Sequence, residues 1–241
     1  MDFSSPAFWL ALGQIIWINI ILSGDNAVVI ALAARSLPPQ QQKQAVMYGS
    51  GAAVALRIAL TLVAAYLLTM PYLQIIGGLL LLWIGVQLLS EEEEGEGGAR
   101  PNTGMLAAVR TILIADLVMS LDNVIAVALA AKIDGAVNYP LLIAGLAISI
   151  PLVIFGSTLM IKLMDRFPII ISLGAGLIGW VAGDAMVHDE ALKTLFAGNP
   201  VAAYGVKIAT AAFVLIVGKW LSSRSNREHA EGRPVEQKTG G

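Results

Sequence analysis

Apolar runs broken by short polar gaps dominate the chain. A helix needs about 20 mostly apolar residues to cross the hydrocarbon core of a bilayer. Seven windows meet that length, at 8–34, 46–69, 72–90, 105–131, 139–161, 169–188 and 203–222. The pattern predicts an all-α polytopic membrane protein of about seven transmembrane helices. Met1 to Pro6 has no positive n-region or small-residue cleavage site, and the first apolar run is too long for a signal-peptide core, so it is expected to stay as an anchor. With the N-terminus outside, Arg35, Lys43, Arg100, Arg110, Lys162, Arg166, Lys219, Arg224, Arg227, Arg233 and Lys238 lie inside. Only Lys132, Lys193 and Lys207 then lie outside, and Arg57 falls within a span. The excess of inside cations predicts a multi-pass inner (plasma) membrane protein with its N-terminus out and its C-terminus cytoplasmic.

An offset of 97 residues superposes Ser23-Gly24-Asp25-Asn26 on Ser120-Leu121-Asp122-Asn123, with seven of twelve positions identical across 23–34 and 120–131. The same offset pairs Asn19 with Asp116, Pro71 with Pro168, Gly77 with Gly174, Trp83 with Trp180 and Gln87 with Asp184. A duplicated unit of three spans must sit upside down in its second copy, which is a transporter signature. The expected organisation is a first three-helix repeat (1–90), an acidic Gly-rich cytoplasmic linker (91–104), a second inverted repeat (105–188), an added C-terminal helix (189–222) and a disordered tail (223–241).

Composition narrows the function classes. The 241 residues are 57% hydrophobic and 13% charged, with a mean hydropathy of +0.76, far from a soluble domain. Cysteine is absent and histidine numbers two, so zinc clusters, iron–sulfur centres and copper-thiolate sites lack ligands. A net charge of −2 offers no basic stripe for nucleic acid. No cofactor is implied, and the expected partners are the lipid bilayer and a transported ion; a homo-oligomer is compatible with the sequence.

The chemistry lies in the two tetrads. A carboxylate at mid-bilayer costs about 2.5–3.5 kcal/mol on insertion scales and needs a partner or a purpose. Asn19, Ser23 and Asn26 follow an i, i+4, i+7 spacing, and Asp116, Ser120 and Asn123 repeat it, so each half carries one oxygen-rich helix face. Asp25 and Asp122 stand about 100° off those faces in a regular helix. Gly24 lowers the cost of local unwinding that would bring Asp25 in, whereas Leu121 argues for a regular helix in the second half. Asn19, Asp25, Asn26, Asp116, Asp122 and Asn123 are the candidate metal ligands. Carboxylate and amide oxygens suit Mg²⁺, Ca²⁺ and Mn²⁺. Met119, one turn from Asp116, reads as packing filler.

Arg57 is expected to face the bundle and pair with an aspartate, as a stand-in for the ion or as a permanent tether. Asp184, His188 and Asp189 read as a hydrated helix end in preference to a relay. The run Glu91 to Glu94 reads as a solvated linker.

At Ser23-Gly24-Asp25-Asn26-Ala27 and at 115–123 the sequence resembles the TerC family of membrane proteins, in its shorter bacterial form. The resemblance runs from the first helix to the last. It implies a LysE-like transporter of the manganese-export type, with Asp25, Asn26, Asp116, Asp122 and Asn123 as ion ligands. Export of Mn²⁺ by alternating access, coupled to protons, is therefore the expected function, and no enzymatic activity is expected. The rival within transport is a LysE-like exporter of a small organic cation or amino acid. Intramembrane aspartyl proteolysis would call for Tyr-Asp and Gly-x-Gly-Asp motifs, and neither occurs.

Overall fold

A computed structural model describes residues 6–67, 70–95, 104–133 and 136–231. It is nearly all helical: α1 (Pro6–Ala34), α2 (Pro39–Leu67), α3 (Leu73–Gly95), α4 (Met105–Ala130), α5 (Tyr139–Arg166), α6 (Ile169–His188), α7 (Lys193–Phe196) and α8 (Pro200–Glu231). Between α4 and α5, Lys132–Ile133 (β1) pairs antiparallel with Ala136–Val137 (β2).

Each of the seven apolar windows falls on a helix. Among the described residues five helices are long and apolar enough to cross a membrane: α2, α3, α5, α6 and α8. α1 makes a sixth when its two limbs are taken as one span. α4 is the apolar helix that carries Asp116 and Asp122.

Helices outrun the apolar windows wherever polar helix formers adjoin them. α2 starts at Pro39, seven residues before its window, because proline suits the first turn and Gln and Lys extend a helix into water. α3 runs through Glu91–Glu94 to Gly95, into the stretch expected to be linker; residues 96–103 lie outside the described set. α8 continues to Glu231, so the expected disordered tail is helical over 223–231, and 232–241 lie outside the described residues. α5 is capped by Asn138, whose side chain accepts from the Leu141 N–H at 3.1 Å.

α1 does not unwind at Gly24 as expected. It stays helical but bends by 46° between Phe8–Ile20 and Gly24–Ala34. The break, at 21–23, ends at the Ser23-Gly24 step, a pair of the kind that kinks helices. α4 remains one unbroken helix.

Helix pairing is symmetric under exchange of the halves. α1 packs along α5 as α4 packs along α2, and α3 lies on α6. Glycines give the directions. Ile15 meets Gly145 and Ala27 meets Gly156, so α1 and α5 run parallel. Ile112 meets Gly49 while Asp116 and Ser120 meet Arg57, so α2 and α4 also run parallel. Gly78 meets Ala182 and Gly85 meets Ile178, so α3 and α6 run antiparallel. α8 docks on the same α3–α6 pair through glycines: a Cβ on Gly179 would lie 2.7 Å from the Ala211 Cα.

The start of α3 is held by the far end of α6. The Asp189 carboxylate, fully buried, accepts from Tyr72 N (2.8 Å), Gln74 N (2.9 Å), Ile75 N (3.2 Å) and Ala191 N (2.8 Å). Tyr72 has a φ of 68°, a left-handed conformation costly for a tyrosine and fixed here by that bond. Asp189 is thus a buried anionic cap, not the hydrated helix end expected. Burial pushes its carboxyl up, but the N–H groups of Ala191, Tyr72, Ile75 and Gln74 outweigh it and hold it below its ordinary 3.8.

A depressed folded value gives stability that is present above the ordinary carboxylate range and is lost as pH falls through the folded value. Asp189→Asn should therefore lower stability by about 1–2 kcal/mol at neutral pH, the scale of a lost cap. Thermal unfolding in detergent should show that deficit narrowing as the pH is taken below 4.

Candidate functional site

One wall of the site is built by α2 and α4. The Arg57 guanidinium donates from Nη2 to Asp116 Oδ1 at 2.6 Å and from Nε to Ser120 Oγ at 3.0 Å. Ser120 Oγ donates in turn to Asp116 Oδ2 at 3.2 Å. All three side chains are buried, with Arg57 4%, Asp116 5% and Ser120 0% exposed. The i, i+4 spacing of Asp116 and Ser120 puts both on the face α4 turns to α2. Arg57 thus pairs with an aspartate, as expected of a lone cation in an apolar span. Such a pair is expensive to break, because removing one partner strands the other charge.

α1 supplies the other wall, and its polar groups are less well satisfied. Asn19 is 0% exposed, and neither atom of its amide has a hydrogen-bond partner among the described residues. Asn26 is buried, and its N–H donates to the half-buried Asp25 at 2.8 Å. α1 packs against α4, so Asp25 and Asp116 stand on neighbouring helices. Ser50, two turns before Arg57 on α2, is buried with an unpartnered hydroxyl. Only its i, i+7 relation to Arg57 could have revealed it from sequence.

The polar positions lie where the apolar core divides. On α1, Ile15 belongs to one buried apolar cluster and Val29 to another, with Asn19, Asp25 and Asn26 between them. On α4, Met119 belongs to the Val29 cluster and Val127 to the Ile15 cluster, with Ser120 and the half-buried Asn123 between. Met119 is core packing, as expected. The side chains of Ser23 and Asp122 lie outside the described residues. Among those described, no three carboxylates or imidazoles gather into a metal cage. On these two helices the buried polar side chains among the described residues are Asp116 and Ser120 of α4 and the amides of Asn19 and Asn26 of α1.

Asp184 and His188 are not part of this site. Asp184 forms an ion pair with Lys207 of α8, and Lys207 Nζ sits 5.7 Å from the Trp180 ring centroid and 5.2 Å from that of Tyr204. His188 Nδ1 lies 3.5 Å from Asp184 Oδ1 and 2.8 Å from its carbonyl oxygen. The cluster fastens α8 to α6.

Comparison with known proteins agrees with this architecture. The profile described as "Integral membrane protein TerC family" matches residues 4–226. The membrane protein YjbE of Bacillus subtilis, described as uncharacterized, is 42% identical over 209 residues, covering 87% of this chain and 94% of its own. YceF of the same organism is 26% identical over 218 residues, covering 85% and 82%. The inner membrane protein YgdQ of Escherichia coli is 32% identical over 139 residues, covering 51% and 59%. No solved structure matches.

An amide that is buried without partners costs about 1–3 kcal/mol. Asn19→Leu should therefore raise the unfolding temperature of the metal-free protein in detergent. A fall of several degrees on calorimetry would mean that Asn19 has a structural partner and is not an unfilled ligand.

Proposed function

This chain belongs to the TerC family of integral membrane proteins, and we propose that it is a carrier that exports divalent metal ions, Mn²⁺ foremost, by alternating access between two inverted halves. The observation that carries this reading is the Arg57–Asp116–Ser120 network buried in an apolar bundle, together with the buried Asn19 amide, without a partner among the described residues, on α1, a helix packed against α4. Ionisable groups are retained in a membrane bundle where they bind or move charge. The oxygen-only donor set, Asp25, Asn26, Asp116, Asp122, Asn123 and Asn19, suits a hard cation. The choice of Mn²⁺ and of the outward direction rests on the family resemblance. Parallel α1–α5 and α2–α4 pairs and an antiparallel α3–α6 pair are what an in-plane two-fold axis relating the halves requires.

Energetics restrict the mechanism. Moving two positive charges out against an inside-negative potential costs about 4.6 kcal/mol per 100 mV. A pore would leak the ion inward, so export needs coupling, and carboxylates that accept either a cation or protons make proton antiport the natural choice.

In proteoliposomes, Mn²⁺ flux should rise when a pH gradient is imposed against it, and flux indifferent to that gradient would remove proton coupling. Asp122→Ala and Asp116→Asn should each reduce flux to that of empty vesicles. Transport unchanged in both variants would take the tetrads out of the site. Arginine and lysine supplied as competitors should leave Mn²⁺ flux unaltered; inhibition by either would favour the organic-cation reading.

A further inference from the structure

We propose that Arg57 is a tethered counter-ion of the transport site, whose guanidinium holds in the empty carrier the place at Asp116 that the substrate cation takes in the loaded one. This rests on the metal-carrier reading above and assigns a role to a residue outside the ligand set.

The geometry is that of a substitute ligand partner. Arg57 Nη2 contacts Asp116 Oδ1 directly, while Nε and Asp116 Oδ2 are joined through Ser120. The guanidinium thereby occupies an oxygen of Asp116, one of the candidate ion ligands. Guanidinium is a permanent cation in proteins. A divalent ion and a guanidinium a few ångströms apart in a buried site repel strongly. Loading the site therefore requires Arg57 to leave Asp116, and unloading lets it return. These are two discrete arrangements of one side chain, which is what a two-state carrier needs to bias.

The pair also joins the halves. Arg57 comes from α2 of the first unit and Asp116 from α4 of the second. At the strict repeat offset the position matching Arg57 is Ile154, so the second half has no equivalent cation and the counter-ion serves one wall only. Asp25, on the other wall, has no ion pair among the described residues. A bare carboxylate is costly to carry through a low-dielectric barrier. With Arg57 in place, Asp116 is neutralised on the metal-free return step, in which the exchanged protons ride on the other site carboxylates, and only the metal-loaded carrier must displace Arg57.

The test separates net transport from exchange. Wild type, Arg57→Gln and Arg57→Lys are purified, and Mn²⁺ binding is titrated calorimetrically. In proteoliposomes, net Mn²⁺ efflux into manganese-free buffer is compared with exchange of radioactive Mn²⁺ against unlabelled Mn²⁺. Without its competitor, Arg57→Gln should bind Mn²⁺ about tenfold more tightly, keep exchange, and lose net efflux by about tenfold, as expected for removing a ligand of the empty state. Arg57→Lys keeps the charge without the fork, so it should retain net efflux and bind Mn²⁺ more tightly than wild type.

Loss of binding and exchange together in a folded Arg57→Gln protein would overturn the proposal and make Arg57 a structural tether. Where Arg57→Gln does not fold, Arg57→Lys decides: unchanged Mn²⁺ affinity overturns the competition, and tightened affinity with net efflux retained supports it. Wild type that binds no Mn²⁺ overturns the metal reading itself, and the counter-ion role with it. Wild type that binds while neither variant binds more tightly overturns the counter-ion role alone.

Discussion

An arginine and an aspartate buried against each other between α2 and α4 set the terms for the rest of the molecule. Neither charge is tolerable alone in an apolar bundle, so wherever one goes the other must be, and the helices that carry them are committed to contact. That contact fixes the rotation of α4 about its axis. Asp116 and Ser120 point to α2, and Met119 and Val118 therefore enter the core on the neighbouring side. The same rotation sets the level of the polar seam between the two apolar clusters.

Around this bond the bundle is assembled by small residues. Without a hydrophobic drive between helices in lipid, close approach and dispersion must hold them, and the glycines mark where approach is closest. Gly49, Gly145 and Gly174 each receive a branched side chain from the facing helix. Gly179 and Gly183 admit the backbone of α8 itself. The two pairs that contain the tetrads, α1–α5 and α2–α4, are equivalent under exchange of the halves. The α3–α6 pair joins them on its own axis, and α8 is added outside it. Asp189 locks that third pair by supplying the acceptors for the first N–H groups of α3.

Much of this was legible in the sequence because lipid imposes a simple rule. Apolar length located the seven long helices, of which five, or six with the bent α1, have the length and hydropathy of a span among the described residues, and the 97-residue offset matches α1 with α4, α2 with α5 and α3 with α6. The isolation of Arg57 in an apolar span was enough to expect a pairing with an aspartate, though not which one. Helix ends were not legible, since lipid bounds the apolar run and not the helix, and Gln, Lys and Glu extend α2 and α3 into water. The pairing of Lys132–Ile133 with Ala136–Val137 was not legible, since each segment is two residues long and Lys and Ala are poor strand formers. Asp189 could not have been placed, because its partners are backbone N–H groups more than a hundred residues away. Nor could the fate of Gly24 be read, since a Ser-Gly pair permits either a bend or an unwound turn.

The two walls of the seam therefore differ in kind as well as in sequence. On α4 both Asp116 and Ser120 are partnered, and the helix is unbroken. On α1 the helix bends at the level of its polar residues, and the Asn19 amide is unsatisfied. A wall whose groups are paired resists displacement, because moving it strands charges. A wall with a bend already present and an amide still without partners loses little by shifting, and gains whatever a ligand supplies. At the 97-residue offset the halves differ where Asn19 stands opposite Asp116 and Gly24 opposite Leu121. The wall on α4 holds the paired charges, and the bent wall on α1 carries the amide that has no partner among the described residues.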